Sequence, residues 1–561
     1  MRHTTKSHIS RLVTSSLVVA LAIAMSPLGV TAQSPVECAP TPRTDRLRLL
    51  RQLSLDLRGR IPTEAEYEAV RPLTDVPEET LVAMLTSEDF FSTMRGYHRG
   101  ILWSSLGEIT DLVDNRHDLR AARIGANTVY YSGNAGAVFR NAGQVSCVDI
   151  EHTRFDAAGH ALPLVEGYRT GTVMGAAAPR SAERCEAAAA GCRIDGWVLV
   201  RPYWAPDTEI RVCAFDAQAA ATGLTMTSGA PTRCGNALPR DAGCGCGPDL
   251  RYCVSGGAGG SEQAIARALE EEPLRLFDRV LRDEDASYFD AFTSTESEVN
   301  GPISHYYRYA SVGVADDDSM AALPDIDFTD AEWRAVERGP EHAGVLTTFA
   351  YLLRFASHRA RANRFTTAFL CEPFQAPADG LPPATDPCSS DPNLSTRCGC
   401  ATCHERLEPM AAHWGRWRFN GDYGFVDETT LPRFNETCAS CAEGRCSDFC
   451  DTFYVTRDVS SHPMERELWL GTLQVIAWRS ETESMALDQG PSALLAQEDT
   501  RARMASCSAR TLAEHLLHRE LTSEETLEWV PELTATFADS GHRFPALVRA
   551  IVTNERYRSI R

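Results

Sequence analysis

Lysine is almost absent from the sequence: Lys6 is the only lysine in a chain of 561 residues that has 55 basic residues. Without lysine in the body of the chain there is no candidate for Schiff-base catalysis and no P-loop lysine. The 76 acidic residues give a formal net charge of -21. We expect no nucleic-acid partner, because binding to phosphates needs clustered positive charge.

Other chemical signatures are missing as well. The zinc-protease pattern H-E-x-x-H and the hydrolase pattern G-x-S-x-G do not occur, so the sequence does not indicate a hydrolase. No stretch after position 32 is apolar enough to span a bilayer, and we expect no transmembrane segment once the signal is removed. With 43% hydrophobic and 8% aromatic residues, the composition is that of a globular chain of several domains.

The first 32 residues are typical of an export signal. Basic residues precede a short apolar run at Leu17–Met25, and small residues end at Ala32. The run is shorter than the roughly 20 residues that a membrane-spanning helix needs. We therefore expect cleavage after Ala32 and a periplasmic or secreted protein, in a compartment where disulfides persist.

Hydrophobic periodicity predicts a mainly α protein with a Cys-rich, β-containing insertion. Leucines at helical spacing, a stop at Gly59 and a capping box at Thr63 and Glu66 predict two helices near the start. Short β-type runs lie among eight cysteines between residues 125 and 255. Helical patterns then return and continue to the end of the chain, where Phe544–Val552 carries one apolar face.

The sequence Cys400-Ala401-Thr402-Cys403-His404 is the most specific motif. C-x-x-C-H is the attachment pattern of c-type haem, in which two thiols bond to the vinyl groups and the histidine binds the iron as proximal ligand. The cysteine and histidine frequencies give on the order of 0.02 accidental matches in such a chain. The alternative is that both cysteines join disulfides and His404 is an ordinary surface residue.

Apolar and aromatic residues follow the motif. They could form the wall of a haem pocket, or they could equally be ordinary core. These residues are Leu407, Pro409, Met410, Trp414, Trp417, Phe419, Tyr423 and Phe425.

Five segments resemble the planctomycete-type cytochrome c-like protein family, in which several domains surround a C-x-x-C-H site. They are RQLSLDLRGRIPTEAE at 51–66, EVNGP at 298–302 with Tyr306, GVLT at 344–347 with SHR at 357–359 and Arg364, CATCHERLEP at 400–409, and FPALVRAIVTNERY at 544–557. The family's segment after the haem site is replaced here by AAHWGRW at 411–417. The resemblance implies one covalent haem c and an electron-transfer role.

These observations together divide the chain into six expected segments. They are a signal peptide (1–32), an N-terminal helical domain (33–124), the Cys-rich β-rich insertion (125–260), a helical domain (261–375), a cytochrome c-like haem module with a Cys-rich loop (376–460) and a C-terminal helical domain (461–561).

The sixth iron ligand decides between electron transfer and chemistry at an open iron. Met410 and His413 are too far along the motif's own helix and on its proximal side. His358 is the first distal candidate, because its segment resembles the family, although it could be a helix-face histidine bonded to a carbonyl. Met464 is the second, sixty residues beyond His404.

The remaining cysteines suggest a disulfide framework. Cys438, Cys441, Cys446 and Cys450 could bind zinc or an iron–sulfur cluster by spacing, but two disulfides are favoured in an oxidising compartment. Removing the haem pair from 19 cysteines leaves 17, so at least one thiol is left over. The acidic run 316–318 could contribute to a calcium site, but a solvated turn is favoured, and the run 270–272 is interpreted as an ordinary charged stretch near a helix end.

The sequence thus favours an exported one-electron carrier, with no catalytic residue assigned. Its acidic surface suits a redox partner with a basic face. The alternatives are a disulfide-rich binding or scaffold protein without a working haem site, and a peroxidase-type haem enzyme with an open distal position.

Overall fold

The computed structural model describes most of the chain. The described residues are 43–103, 105–106, 112–113, 117–132, 147–162, 195–224, 231–234, 244–257, 259–310, 323–374, 380, 383, 385–417, 424–441, 446–456 and 467–559. The expected export signal and Met464 lie outside them, as do the acidic run 316–318 and three cysteines (Cys38, Cys185 and Cys192). Of the helices in these ranges, none combines the length and the apolar character needed to cross a membrane.

The chain begins with helices, as its leucine spacing predicts. Leu50, Leu53 and Leu57 are buried in the first helix, which ends where Gly59 adopts a left-handed backbone with φ 64°. The predicted capping box at Thr63 and Glu66 starts the second. The four helices are Arg46–Arg58, Glu64–Val70, Glu78–Leu85 and Glu88–Leu102.

The Cys-rich segment folds around a six-stranded mixed sheet. Its strands are β1 (Asp118–Ile124), β2 (Asn127–Ser132), β3 (Cys147–Glu151), β4 (Asp195–Val200), β5 (Ile210–Cys213) and β8 (Val254–Ser255), in the order β3-β4-β5-β2-β1-β8. Strands β6 (Thr222–Leu224) and β7 (Pro231–Arg233) form a separate hairpin. The predicted β-runs are present, but the sheet begins at Asp118, before the boundary expected at 125, because β1 pairs antiparallel with β2.

Disulfides hold this segment together, as predicted. Cys147–Cys213 joins β3 to the end of β5, and Cys234–Cys244 and Cys246–Cys253 close short loops. Along the chain, β1 is the first strand of the sheet and β8 is the last. These two strands are parallel neighbours, and Leu119 lies beside Ser255. The segment therefore leaves the helical part of the chain and returns to it at nearly the same place.

The rest of the chain is mainly helical, with one two-stranded sheet of β9 (Glu296–Val299) and β10 (Arg334–Glu337). The longer helices are Glu262–Arg282, His358–Phe369, Ala401–Ala411, Glu498–Leu517, Val530–Asp539 and Phe544–Thr553. Shorter helices are Asp290–Thr293, Gly301–His305, Phe349–Arg354, Glu436–Ser440, Asp448–Phe453, Glu481–Ser484, Ala486–Gln489 and Glu555–Arg558. The predicted apolar face at the C-terminus is buried: Phe544, Leu547, Val548, Ile551 and Val552.

Helices from both ends of the sequence share one hydrophobic core. Leu50 of the first helix, Phe277 of the Glu262–Arg282 helix, Trp414 after the haem-type motif and Ile551 near the C-terminus all belong to it. Cys371–Cys507 ties the central and C-terminal parts together. Helices of the expected N-terminal, central and C-terminal segments therefore contribute to one core, and the β-rich segment adds smaller clusters of its own.

The four cysteines between 438 and 450 form two disulfides, Cys438–Cys450 and Cys441–Cys446, as the oxidising-compartment argument predicts. The acidic run at 270–272 differs from its interpretation as an ordinary charged stretch near a helix end. It lies inside the Glu262–Arg282 helix, and Glu272 is fully buried against Arg338. A charge can be buried in this way when an opposite charge and hydrogen-bond donors surround it.

Candidate functional site

The haem-type motif occupies the beginning of the Ala401–Ala411 helix. Cys400 is the residue that caps this helix, and its carbonyl accepts hydrogen bonds from the backbone amides of Cys403 (3.1 Å) and His404 (2.9 Å). The helical turn brings the two cysteines and the histidine together on one short stretch of surface. Their side chains are half-buried.

The disulfides leave this pair of cysteines untouched. Seven disulfides join fourteen cysteines of the described residues, and Cys400 and Cys403 take part in none of them and keep their thiols. Cys398, only two residues before Cys400, is bonded to Cys388. Two thiols and a histidine at this spacing are the donor set that covalent haem attachment requires.

His404 is held by a buried carboxylate one turn further along the helix. Its Nδ1 lies 2.5 Å from Oε1 of Glu408, whose side chain is only 1% exposed, while 23% of the His404 side chain remains exposed. Because Glu408 occupies Nδ1, the second ring nitrogen, Nε2, is the one left to coordinate a metal. The donor set and the orientation of the imidazole therefore fit a haem bound through Nε2.

Two arginines surround the same carboxylate. Arg359 donates from Nε to Oε1 of Glu408 at 2.6 Å and from Nη2 to Oε2 at 3.2 Å, and Nη2 of Arg479 lies 3.6 Å from Oε2. Burial raises the pKa of Glu408, but the hydrogen bond and charge of Arg359 and the hydrogen bond from His404 outweigh burial and lower it. Glu408 is therefore ionised at neutral pH.

Arg479 also connects the motif to the loop before it. Its Nη1 donates to Oγ of Ser395 at 2.7 Å, and that hydroxyl donates to the backbone carbonyl of His404 at 3.2 Å. Burial lowers the pKa of Arg479, whose side chain is 5% exposed. The imidazole, its carboxylate partner and the preceding loop are thus joined in one polar network.

His358, the first distal candidate, is buried at the start of the His358–Phe369 helix. Burial, followed by the charge of Arg359, lowers its pKa to about 3, so its imidazole is neutral. The neighbouring Arg359 places this end of the helix beside Glu408. The helix that begins at His358 therefore packs against the motif helix. The role of His358 as iron ligand stays a prediction, as does that of Met464.

Met410 and His413 make polar contacts to other segments. Oγ1 of Thr366 lies 3.2 Å from Sδ of Met410, which directs this thioether towards the His358–Phe369 helix. Nδ1 of His413 lies 2.7 Å from the carbonyl oxygen of Gly490.

The aromatic residues after the motif are ordinary core where the structure describes them. Trp414 and Trp417 are at most 1% exposed, and Nε1 of Trp414 donates to the carbonyl of Leu346 at 3.1 Å. Phe425 packs against Trp417, with ring centroids 5.6 Å apart. Phe419 and Tyr423 lie outside the described residues. The two tryptophans therefore lie in the hydrophobic core next to the motif helix.

Sequence reasoning missed Glu408, Arg359 and Arg479. The spacing of Glu408, four residues after His404, was a usable signal because side chains at this separation meet on one helix face. No local signal identifies the arginines, which are 49 residues before and 71 residues after Glu408.

Comparison with known proteins gives no assignment: no family model, curated protein or solved structure matches the chain.

Proposed function

We propose that the chain is an exported c-type haem protein that transfers single electrons. Cys400 and Cys403 would be the thioether anchors, and His404 the proximal iron ligand. The observation that carries the proposal is the combination of two thiols in C-x-x-C-H with a histidine whose Nδ1 is already bound by Glu408. The family resemblance, which the comparisons neither support nor oppose, points in the same direction.

The described residues would each contribute to holding the group. The helical turn presents both thiols, Glu408 fixes the imidazole, and the Cys388–Cys398 disulfide shapes the loop before them. When bound, a haem with two axial ligands supplies a reversible one-electron couple, whose potential depends on those ligands and on nearby hydrogen bonds. The disulfides suit an oxidising compartment and therefore an exported protein.

The sixth ligand remains to be identified. His358 is the first candidate, because it begins a helix that contacts the motif helix through Arg359 and Glu408. Met464 is the second candidate. We infer that the sixth position is occupied by a side chain, as an electron carrier requires.

The partner is proposed from charge alone. A net charge of -21 with arginine as the basic residue suits a redox protein whose contact face is basic. Electron transfer to such a partner should slow with rising ionic strength, since salt screens the attraction that steers the encounter.

A haem-stained denaturing gel tests the proposal directly. The full-length chain is produced with its own export signal in a bacterium that attaches haem to exported proteins. We expect a stained band for the wild type and for Cys438→Ser/Cys450→Ser, which removes two cysteines elsewhere, and no band for Cys400→Ser/Cys403→Ser. A wild-type band without covalent haem would favour the disulfide-rich scaffold instead.

The haem-loaded protein also allows a test that distinguishes an electron carrier from a peroxidase-type enzyme. A six-coordinate haem should bind carbon monoxide slowly or not at all, because no position on the iron is open. Fast binding of carbon monoxide, together with turnover of peroxide, would indicate a peroxidase-type enzyme instead of an electron carrier.

A further inference from the structure

The partner of His404 is a charged side chain. Glu408 presents one oxygen, Oε1, to both Nδ1 of His404 (2.5 Å) and Nε of Arg359 (2.6 Å). The other oxygen, Oε2, faces Nη2 of Arg359 at 3.2 Å and Nη2 of Arg479 at 3.6 Å. All four contacts fall on a side chain that is 1% exposed, so water does not weaken them strongly.

We infer that Glu408 is the positioning residue of the proximal histidine, and that Arg359 and Arg479 determine how strongly this carboxylate polarises the imidazole. The carboxylate holds the Nδ1 proton, which turns the Nε2 lone pair towards the iron and makes the imidazole a stronger electron donor. This inference rests on the proposed function, because it assigns a role toward the haem that the motif would bind.

The expected direction of the shift in reduction potential follows from charge. A stronger donor stabilises the ferric state more than the ferrous state, so the carboxylate lowers the reduction potential. The arginines work against it, because positive charge beside the carboxylate withdraws electron density from the hydrogen bond. The potential of the site therefore depends on a balance between one carboxylate and two guanidinium groups.

A purely structural role is the competing explanation. Glu408 could simply be the counter-ion that pairs with Arg359 between the His358–Phe369 and Ala401–Ala411 helices and that allows Arg479 to be buried. In that case its replacement would lower thermal stability and leave the potential of the folded protein unchanged. Stability alone cannot distinguish the two roles, whereas the potential can.

The test measures the midpoint potential of the holoprotein by spectroelectrochemical titration. Glu408→Gln keeps the shape of the side chain and an acceptor oxygen but removes the charge, so we expect a more positive potential than in the wild type. Glu408→Asp keeps the charge and should lie closer to the wild type. Arg359→Gln removes one opposing charge and should shift the potential in the negative direction.

The opposite signs of the Glu408→Gln and Arg359→Gln shifts are the decisive result. Equal potentials in all variants, or shifts of one sign, would overturn the inference. Covalent haem on a denaturing gel is recorded in parallel, because the thioether bonds do not depend on Glu408. A wild type without stain would contradict the proposed function itself. Stained variants with unchanged potentials would contradict only the role of Glu408. Should Arg359→Gln not fold, the pair Glu408→Gln and Glu408→Asp still decides it.

Discussion

Arg338 and Glu272 form an ion pair inside the helical core, with 2.9 Å between Nη1 and Oε1 and with at most 2% of either side chain exposed. Oγ of Ser297 donates to the same oxygen at 2.7 Å, and the hydroxyl of Tyr307 donates to Oε2. The guanidinium also lies over the Tyr307 ring, 4.3 Å from its centroid. The pair joins the Glu262–Arg282 helix to the segment after β10.

We expect Arg338→Met to lower the free energy of unfolding by about 3–5 kcal/mol, because removal of one partner leaves a buried charge without compensation. Chemical denaturation monitored by circular dichroism measures the loss. The double variant Arg338→Met/Glu272→Leu should be less destabilised than Arg338→Met alone. A double variant that loses the sum of the two single effects would show that the residues act independently.

The second prediction concerns the disulfide beside the motif. Cys388→Ser releases the thiol of Cys398, which is separated from Cys400 by Gly399 alone. A protein or small-molecule disulfide of the oxidising compartment, reduced to two thiols in the process, can oxidise this thiol together with that of Cys400 or Cys403 to a new disulfide, which would compete with haem attachment. We expect several-fold less covalent haem per chain, measured by mass spectrometry of the intact protein.

The matched control for that variant is Cys388→Ser/Cys398→Ser, which removes the competing thiol as well. Its haem content should recover towards that of the wild type. If both variants lost haem equally, the disulfide would matter for the shape of the loop and not for protecting the thiols.

The third prediction addresses the sixth ligand. Because His358 is the first candidate, we expect His358→Ala to convert the low-spin ferric haem to a high-spin form that binds small ligands. Met464→Ala should retain the low-spin spectrum. A high-spin spectrum for Met464→Ala, with His358→Ala unchanged, would make Met464 the ligand instead.

The fourth prediction is a pH dependence of stability that comes from His98. This histidine is fully buried, its ring stacks on Phe277 with centroids 4.1 Å apart, and burial lowers its pKa to about 3. Between about pH 6.5, where an exposed histidine titrates, and pH 3, the unfolded chain binds a proton that the folded chain does not. Stability contributed by neutral His98 is therefore lost as the pH falls through this range.

His98→Phe should flatten the dependence of unfolding free energy on pH between 7 and 4, since phenylalanine does not titrate. Denaturant unfolding at a series of pH values measures the slope. At pH 8 His98 is neutral in both the folded and the unfolded chain. The difference in unfolding free energy between the wild type and His98→Phe at this pH therefore comes from packing and from the lost hydrogen bond between Nδ1 and the Met94 carbonyl. Identical slopes for the two proteins would show that groups other than His98 control the loss of stability at low pH.

Local features of this fold were predictable from sequence, because they depend on neighbours in the chain. The left-handed residue Gly59, the capping box of Thr63 and Glu66 and the buried face from Phe544 to Val552 each follow from spacing of a few residues. The two disulfides between Cys438 and Cys450 followed from compartment and proximity.

Features that depend on distant contacts were not predictable in this way. Glu272 has the sequence environment of an ordinary charged helix, and its burial depends on residues distant in the sequence, above all Arg338, 66 residues away. At the site, C-x-x-C-H identified Cys400, Cys403 and His404. The arginines around Glu408 come from segments that no local pattern connects to it.

The neighbouring positions of β1 and β8 have a consequence for the history of the chain. The backbone amide of Val254 donates to the carbonyl of His117 at 2.8 Å, so the two ends of the β-rich segment touch. A segment whose ends meet can be gained, lost or exchanged while the helices on either side keep their places. The two ends of the β-rich part are thus close enough for a short linker from His117 to Ser255 to join them.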